Sequence, residues 1–322
     1  MSQAVGPVHG QADVSIPPVA PLTPEERPRR WWLPPRGNPL AQLFYWVLLA
    51  LFTLFFLYPF IWAVSASLKS RDEFFNDNSA LIPHSWAFSN YVHIFTGVPG
   101  ISTGVPFGHW FANSLYIGIL AAGTVTISSG IVAFAFAYFR FPLRNLMFAC
   151  VLGTMMLPGS VTMVPTYLVW NHVGLTNTQY PLWLSNAFST PFYVFLLRQF
   201  FLGIPRELFE AARMDGDNYW SMFWRIAFPL ARPALIVTFV LEFKASWTDL
   251  QKPLIYLHSD SSFTIPRGLF NMIGVLGPSG GGHGDYEIVI AAAVLATLPM
   301  IILFFFGQRY FMEGIATQGR KG

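Results

Sequence analysis

Long stretches without a charged residue alternate along the chain with short polar segments. Asp, Glu, Lys and Arg are absent from residues 37–68, 78–139, 145–197 and 288–308. A helix needs about 20 consecutive, mostly apolar residues to cross a bilayer. Backbone groups left unpaired in lipid are so costly that apolar runs of this length imply helices. The pattern therefore predicts an all-α, polytopic membrane protein.

The apolar runs divide into six predicted membrane-spanning helices. Their approximate ranges are 41–64, 111–138, 146–169, 181–200, 233–256 and 287–308. The third helix contains Pro158, Gly159 and Pro165. Because proline removes a backbone donor and clashes with the preceding turn, we expect a kink or a broken turn there.

The residues before the first helix have a different composition. Eight prolines fall within the first 35 residues, and such a proline-rich stretch is typical of a disordered, extended segment. Residues 1–38 are therefore predicted to be a disordered tail, and residues 39–322 are predicted to form the six-helix domain.

The distribution of basic residues predicts the orientation in the membrane. Fourteen Lys and Arg residues fall in the N-terminal tail, the loop after the second helix, the 198–232 segment and the C-terminus. The other side holds five, namely Lys69, Arg71, Lys244, Lys252 and Arg267. Because cytoplasmic loops carry the excess of positive charge, both termini and the 198–232 segment are predicted to be cytoplasmic.

Composition and motifs exclude several kinds of site. The chain has one cysteine, Cys150, so it cannot form an intrachain disulfide. Its histidines lack the spacing of metal ligands. The glycine-rich residues 274–284 lack the Lys-Ser/Thr pair of a phosphate-binding loop. We therefore predict no metal, no bound cofactor and no nucleic-acid partner for this chain.

A polar segment, residues 205–232, interrupts the apolar pattern between the fourth and fifth predicted helices. Pro205 suits the start of a short helix, and Gly216 suits its end. Asp217 or Asn218 can cap a second helix over about 219–228, which Pro229 and Pro233 would end. The segment is thus predicted to be two short helices joined by a glycine turn.

Two hypotheses explain this segment. It can be an amphipathic hairpin that lies on anionic lipid, or a docking element for a cytosolic partner. The adjacent small side chains of Ala211 and Ala212 favour the partner, because they let another protein approach closely. Acidic side chains such as Glu207 and Glu210 would also be repelled by anionic lipid.

The spacing of this segment resembles a known motif. Glu210-Ala211-Ala212, then Gly216, then Ile226 and Pro229 follow the pattern of the EAA loop in ABC-importer permease subunits, with Phe228 in place of the usual Leu. Residues 155–182, 195–205 and 308–322 also resemble these subunits, in particular the smaller permease of carbohydrate, maltose-type importers. The resemblance covers about residues 40–322.

The resemblance implies an assembly in the cell membrane. Such a permease pairs with a second permease as a heterodimer and binds two cytosolic ATPase subunits, which hold the ATP and Mg²⁺. An external solute-binding protein delivers the solute. The chain itself would then be a transport subunit and not an enzyme, with its core transport domain at about residues 107–310 and its coupling loop at residues 205–232.

The resemblance also implies roles for individual residues of the loop. Glu210 would meet a basic group of the ATPase, Ala211 and Ala212 would allow close seating, and Gly216 would make the turn. Asp215 would pair or cap locally. The other motif positions of the coupling set are Arg213, Ile226 and Pro229. The C-terminal residues 319–322 either touch the ATPase or form a solvated end.

The fifth helix carries the candidates for a solute pathway. Ionisable groups in a membrane span are costly, and by default they suggest a pathway or a buried pair. The candidates are Glu242, Lys244, Trp247 and Asp249, with Asn113, Asn186 and Asn271 as weaker ones. Structural explanations remain open, since Lys244 can reach the outer interface and Glu242 can bond across helices.

Two other function classes remain. An ion-coupled secondary carrier needs carboxylates near the midplane and usually repeated halves; Glu242 is the one clear candidate, and no repeat is visible. A membrane enzyme needs paired catalytic groups, which the sequence does not display. Among solutes for an importer, a phosphorylated one predicts extra basic groups along the path, so a neutral sugar is favoured.

Overall fold

The computed structural model describes residues 39–77, 80–96, 107–277 and 284–318, with the backbone alone for 309–318. The described residues divide into two units, with the boundary between Pro59 and Phe60. The predicted N-terminal tail lies outside the described residues, as do most of the glycine-rich stretch 274–284 and the C-terminal residues 319–322.

The described residues form helices joined by turns and loops, which confirms the all-α prediction. The α-helices are α1 Pro39–Ser67, α2 Arg71–Asn76, α3 Ser89–Thr96, α4 Phe107–Tyr138, α5 Arg144–Thr154, α6 Gly159–His172, α7 Tyr180–Leu184, α8 Pro191–Phe201, α9 Arg206–Met214, α10 Tyr219–Met222, α11 Phe228–Leu230, α12 Arg232–Thr248, α13 Gln251–Tyr256, α14 Ile265–Leu276 and α15 Tyr286–Gln318. A π-helical turn, Phe223–Ala227, joins α10 to α11, and a 3₁₀ turn lies at Asp260–Ser262.

The described part of the first unit is the N-terminal portion of α1. Its side chains are predominantly apolar and exposed, from Leu40 to Tyr58. A helix that is hydrophobic on every side requires an apolar environment around it, and a bilayer supplies one.

The second unit is organised around α4. This helix packs most extensively against α12 and α8. One apolar cluster surrounds Trp110 and Phe243 and includes residues of α14 and α15. A second cluster surrounds Phe134 and Phe223 and includes residues of α8 and α9. Residues from the two halves of α4 therefore belong to two separate cores, one at each end of the helix.

The predicted third span is sharply bent. It consists of α5 and α6, whose axes differ by 96° across a break of four residues. Pro158 is extended, at φ −61° and ψ 133°, and precedes the first residue of α6. The predicted kink at Pro158 and Gly159 is therefore confirmed, while Pro165 lies within α6 without a second break.

The predicted fourth and fifth spans are not continuous helices, which corrects the prediction. Between α7 and α8, Ser189 has a φ of 81° and Thr190 is extended. Pro191 follows, and a residue before proline is disfavoured in helical geometry. In the fifth span, Asp249 ends α12 in an extended conformation, and its Oδ1 accepts the backbone N–H groups of Gln251 and Lys252 at 2.9 and 3.2 Å.

Three described helices are long and apolar enough to cross a membrane by themselves. They are Pro39–Ser67, Phe107–Tyr138 and Tyr286–Gln308. The number rises to five if each of two bent pairs is one span, the second pair being Tyr219–Leu230 with Arg232–Thr248, bent by 80°. A multi-pass helical membrane protein is thus supported, whereas six spans and the orientation of the termini stay predictions.

Gly268 of α14 gives a test of the core between α4 and α14. A Cβ atom at this position would lie 2.0 Å from Cε3 of the buried Trp110 ring. We expect Gly268→Ala to lower the free energy of unfolding by about 1–3 kcal/mol, because the ring cannot move aside in a packed core. The measurement is the thermal unfolding midpoint of the full chain in detergent.

Gly274→Ala is the matched control on the same helix. No atom lies within 4 Å of the position that an added Cβ atom would occupy there, and alanine is the better helix former by about 1 kcal/mol. Its midpoint should stay the same or rise. Equal midpoints for the two variants would contradict the described packing of α14 on Trp110.

Candidate functional site

The short helix α9 ends as the sequence predicts. Gly216 has a φ of 87°, a conformation that glycine adopts without a steric penalty. The N–H of Gly216 donates to the carbonyl of Arg213 at 3.2 Å, and that of Asp217 donates to the carbonyl of Ala212 at 3.0 Å. These two bonds form a Schellman motif, which turns the chain sharply out of α9.

Phe209 holds α9 against the end of α4. Its side chain is buried, and its ring centroid lies 5.0 Å from that of Tyr138 and 5.7 Å from that of Phe134. Ala212, three residues later on the same face, is buried in the same cluster. A buried aromatic ring contributes about 3–5 kcal/mol relative to alanine, so α9 and α4 are firmly joined.

The opposite face of α9 is exposed. We call it the docking face, and it consists of Glu207, Leu208, Glu210, Ala211 and Met214. The side chain of Met214 is 84% exposed although it is apolar. The two alanines of the motif therefore differ: Ala211 is open to a partner, whereas Ala212 packs inside this chain.

The charged residues of α9 are available for contacts outside the chain. No ion pair involves Glu210 or Arg213 among the side chains that the structure describes. The Arg213 guanidinium instead lies 5.8 Å from the centre of the Tyr219 ring. Asp215, the last residue before the glycine turn, is exposed.

The second part of the segment differs from the prediction at Pro229. Asn218, one of the two predicted caps, accepts the backbone N–H of Ser221 at 2.8 Å. The helical path then continues through Pro229 to Leu230 and breaks at Ala231. Proline lacks the N–H that an α-turn would need. The π-helical turn that contains Ile226 precedes it, and there the N–H of Phe228 donates to the carbonyl of Phe223.

A polar cavity of about 190 Å³ lies between α4, α7, α12 and α13. Its apolar wall includes Ile117 of α4 and Leu182 of α7. Its polar lining consists of Asn186, Thr190, Glu242, Ser246, Asp249, Lys252 and Thr264. Of the four main pathway candidates, the structure brings Glu242 and Asp249 to this cavity, together with the weaker candidate Asn186.

Glu242 is the buried carboxylate of the cavity. Asn186 Nδ2 donates to its Oε1 at 2.6 Å, and the hydroxyl of Tyr193 interacts with the same carboxylate. A buried charge requires such partners, because an unpaired one is costly to desolvate. The predicted bond across helices is therefore present, and the same residue also lines the cavity.

The remaining pathway candidates do not line the cavity. Lys244 is exposed, two positions along the helix from Glu242. Trp247 is buried in the core, and its Nε1 donates to the carbonyl of Ala296 at 3.1 Å. Asn113 donates to the carbonyls of Ser261 and Phe263. Asn271 lies on α14 and is half-buried.

Several cavity residues were missed from the sequence. On a helix, residues four and seven positions apart share a face. Ser246 therefore lies on the same face of α12 as Glu242, and this spacing could have identified it, while Asp249 follows directly after the end of α12. Thr190 and Thr264 come from other parts of the chain, so only the tertiary fold reveals them. The Thr264 hydroxyl is buried, without a hydrogen-bond partner in the described part of the chain.

Within the described ranges, no group of three or more His, Cys, Asp or Glu side chains could hold a metal ion.

Comparison with known proteins identifies the family. Residues 116–316 match the family described as binding-protein-dependent transport system inner membrane component. This chain belongs to that family. The matched residues include α9, the glycine turn and every residue that lines the polar cavity.

Two curated relatives of this transport family illustrate its range. The arabinooligosaccharides transport system permease protein AraQ of Halalkalibacterium halodurans is 33% identical over 82% of this chain and 91% of its own length. The sn-glycerol-3-phosphate transport system permease protein UgpE of Yersinia pestis is 33% identical over 85% of this chain and 95% of its own length. Relatives of similar identity thus carry names for a neutral and for an anionic solute.

A solved structure from a bacterial ABC transporter has the same fold. That transporter is involved in the import of the acidic polysaccharide alginate, and the matching chain is 25% identical with a TM-score of 0.73. The match covers 86% of this chain and 99% of the other. The permease identification thus extends over most of the described helices.

Proposed function

We propose that this chain is a membrane subunit of an ATP-binding-cassette importer for sugars or oligosaccharides in the cell membrane. It forms the solute pathway with a second, similar permease, and an external binding protein delivers the solute. Two cytosolic ATPase subunits bind ATP and Mg²⁺, so hydrolysis takes place on the partners. Family membership argues against the ion-coupled secondary carrier that the sequence left open.

The observation that carries the proposal is the exposed docking face on a helix anchored by Phe209. The exposed Met214 and Glu210 lie on one side of α9, and the buried Phe209 lies on the other. A partner that binds the exposed side and moves α9 therefore also displaces the end of α4. The roles of Glu210, Ala211, Arg213, Asp215, Gly216, Ile226 and Pro229 in coupling form part of this proposal, with Ala212 contributing internally.

The helix α4 connects the docking face to the polar cavity. Phe134 contacts Phe209 near the C-terminal end of α4, and Ile117 lines the cavity. Seventeen residues separate these two positions, which is about 25 Å along a helix. Because α4 is unbroken between them, a displacement of α9 reaches the cavity through one helix.

The lining of the cavity favours a neutral, hydroxylated solute. Glu242 and Asp249 supply carboxylates and Lys252 supplies an ammonium group, so no excess of positive charge is present for a phosphate or uronate. Thr190, Ser246 and Thr264 supply hydroxyl groups, which both donate and accept hydrogen bonds. Sugar hydroxyls match this set, and AraQ is a relative named for such a solute.

A charge reversal on the docking face tests the coupling role. We expect Glu210→Lys to reduce retention of the ATPase subunit by at least about tenfold, because reversed charge at a contact both removes attraction and adds repulsion. The folding of the chain should be unaffected, since Glu210 is exposed. The measurement is quantitative mass spectrometry of subunits that co-purify with the tagged chain in mild detergent.

Asp72→Lys is the matched control, since Asp72 is an exposed acid on another helix, α2. It should retain both the ATPase and the second permease. The proposal is contradicted if wild type brings down no ATPase, or if Glu210→Lys and Asp72→Lys retain it equally.

A substitution in the cavity tests the solute assignment. Thr264→Val removes a buried hydroxyl that has no described partner, so it should leave the thermal midpoint unchanged or raise it. Uptake of a neutral oligosaccharide should fall about threefold to tenfold, because a hydrogen bond to the solute is lost. The assay uses proteoliposomes that contain the complete importer and its binding protein, with radiolabelled arabinooligosaccharides and sn-glycerol-3-phosphate compared.

Thr238→Val is the control for this experiment. Thr238 is also buried, but it lies on α12 and does not line the cavity. Its hydroxyl donates to the carbonyl of Ala234 at 3.0 Å. Uptake of the neutral oligosaccharide by the Thr238→Val importer should match that of wild type. Preferential uptake of the phosphorylated solute, or equal uptake by the two variants, would refute the neutral-sugar assignment.

A further inference from the structure

The loop after α4 contains an unusual turn. The carbonyl of Phe141 accepts the N–H of Arg144 at 3.4 Å, Pro142 follows Phe141, and Leu143 has a φ of 62°. This is the geometry of a type II turn, in which the third position normally holds glycine. A non-glycine residue there is strained by about 1–2 kcal/mol, and such strain is often found at functional sites.

Beside this turn lies an open pocket of about 420 Å³ with a strongly basic lining. Arg140 directly precedes the turn, Arg144 is the first residue of α5, and Arg206 is the first residue of α9. Asn145 adds a carboxamide, and no acidic residue lines the pocket. We call it the arginine pocket.

The three guanidinium groups lack an anionic partner within the described part of the chain. No carboxylate whose position is described lies within 4.0 Å of Arg140, Arg144 or Arg206. One N–H of Arg144 donates to the carbonyl of Phe139 at 3.2 Å, which leaves its other donors for a ligand. Three neighbouring cations repel each other. A bound anion would therefore lower the electrostatic energy of the pocket.

The rim of the arginine pocket indicates the kind of anion. Leu143 and Leu146 line the same pocket, and they are 69% and 59% exposed. The helix that begins at this rim, α5, has no buried residue. Guanidinium groups bind phosphate through paired N–H donors, while exposed leucines beside them suit an acyl chain. Both features together match a phospholipid better than an acidic protein surface.

We propose that the arginine pocket binds the headgroup of an anionic phospholipid. The phosphate lies among Arg140, Arg144 and Arg206, and the start of the acyl chains lies along Leu143 and Leu146. Because Arg206 begins α9, the bound lipid contacts the first turn of that helix. This site is separate from the polar cavity and does not depend on the proposed transport function.

Native mass spectrometry of the full chain tests the proposal. The chain is titrated with phosphatidylglycerol and, separately, with phosphatidylcholine of the same acyl chains. We expect phosphatidylglycerol to bind wild type about tenfold more tightly. The double variant Arg140→Gln/Arg206→Gln should lose most of this tenfold difference, because two of the three basic groups that attract the anionic headgroup are removed. Both positions are exposed, so folding should be retained.

The matched control is Arg225→Gln/Arg232→Gln, which removes the same charge from two exposed arginines of the 205–232 segment. It should bind phosphatidylglycerol as wild type does. Equal binding of the two lipids, or an equal loss in both double variants, would overturn the proposal. Displacement of the lipid by inorganic phosphate at equal concentration would also overturn it, since the pocket would then be a site for free anions.

A further measurement distinguishes a lipid ligand of the arginine pocket from a protein partner. If Arg140→Gln/Arg206→Gln loses the co-purifying ATPase while its affinity for phosphatidylglycerol is unchanged, the arginine pocket belongs to the ATPase interface and the lipid assignment is wrong.

Discussion

The packing of Phe209 on the end of α4 is the contact on which the rest of the account depends. Its ring lies against Tyr138 and Phe134, at the C-terminal end of the helix that also lines the polar cavity. Without this contact, α9 would be a short amphipathic helix of nine residues, and isolated helices of that length are marginal in water. With it, α9 is anchored to α4, the helix around which the second unit is packed.

The ends of α9 and of the helix after it could be predicted in detail because their signals are local. Gly216 supplies the positive φ of the turn, and Asn218 caps the next helix, and both effects depend on residues close in sequence. The phase of the helix was missed: Ala212 is three residues from Phe209 and shares its buried face, whereas Ala211 does not. Adjacent positions on a helix are about 100° apart, so two neighbouring alanines cannot face one partner equally.

The cavity could be predicted only in part, because it is assembled from distant segments. Glu242 can be predicted as a site residue because it is an ionisable group in an apolar run, but its partner Asn186 lies 56 positions earlier in the chain. Lys244 was grouped with it, although two positions on a helix point to nearly opposite sides. Breaks in the fourth and fifth predicted spans, at Ser189 and Asp249, were hidden within runs whose hydrophobicity alone favours continuous helices.

In the proposed mechanism, α4 is the mechanical link between the ATP-driven movement of α9 and the cavity, and a cysteine in the cavity tests this link most directly. In a Cys150→Ala background, Ser246→Cys places a single thiol in the chain at the cavity wall. Its rate of maleimide labelling is measured in the assembled importer with and without ATP. We predict a rate that changes with ATP when Phe209 is present, and no change in Phe209→Ala, even though the ATPase still binds and hydrolyses ATP. The same ATP-dependent change in both proteins would contradict the account.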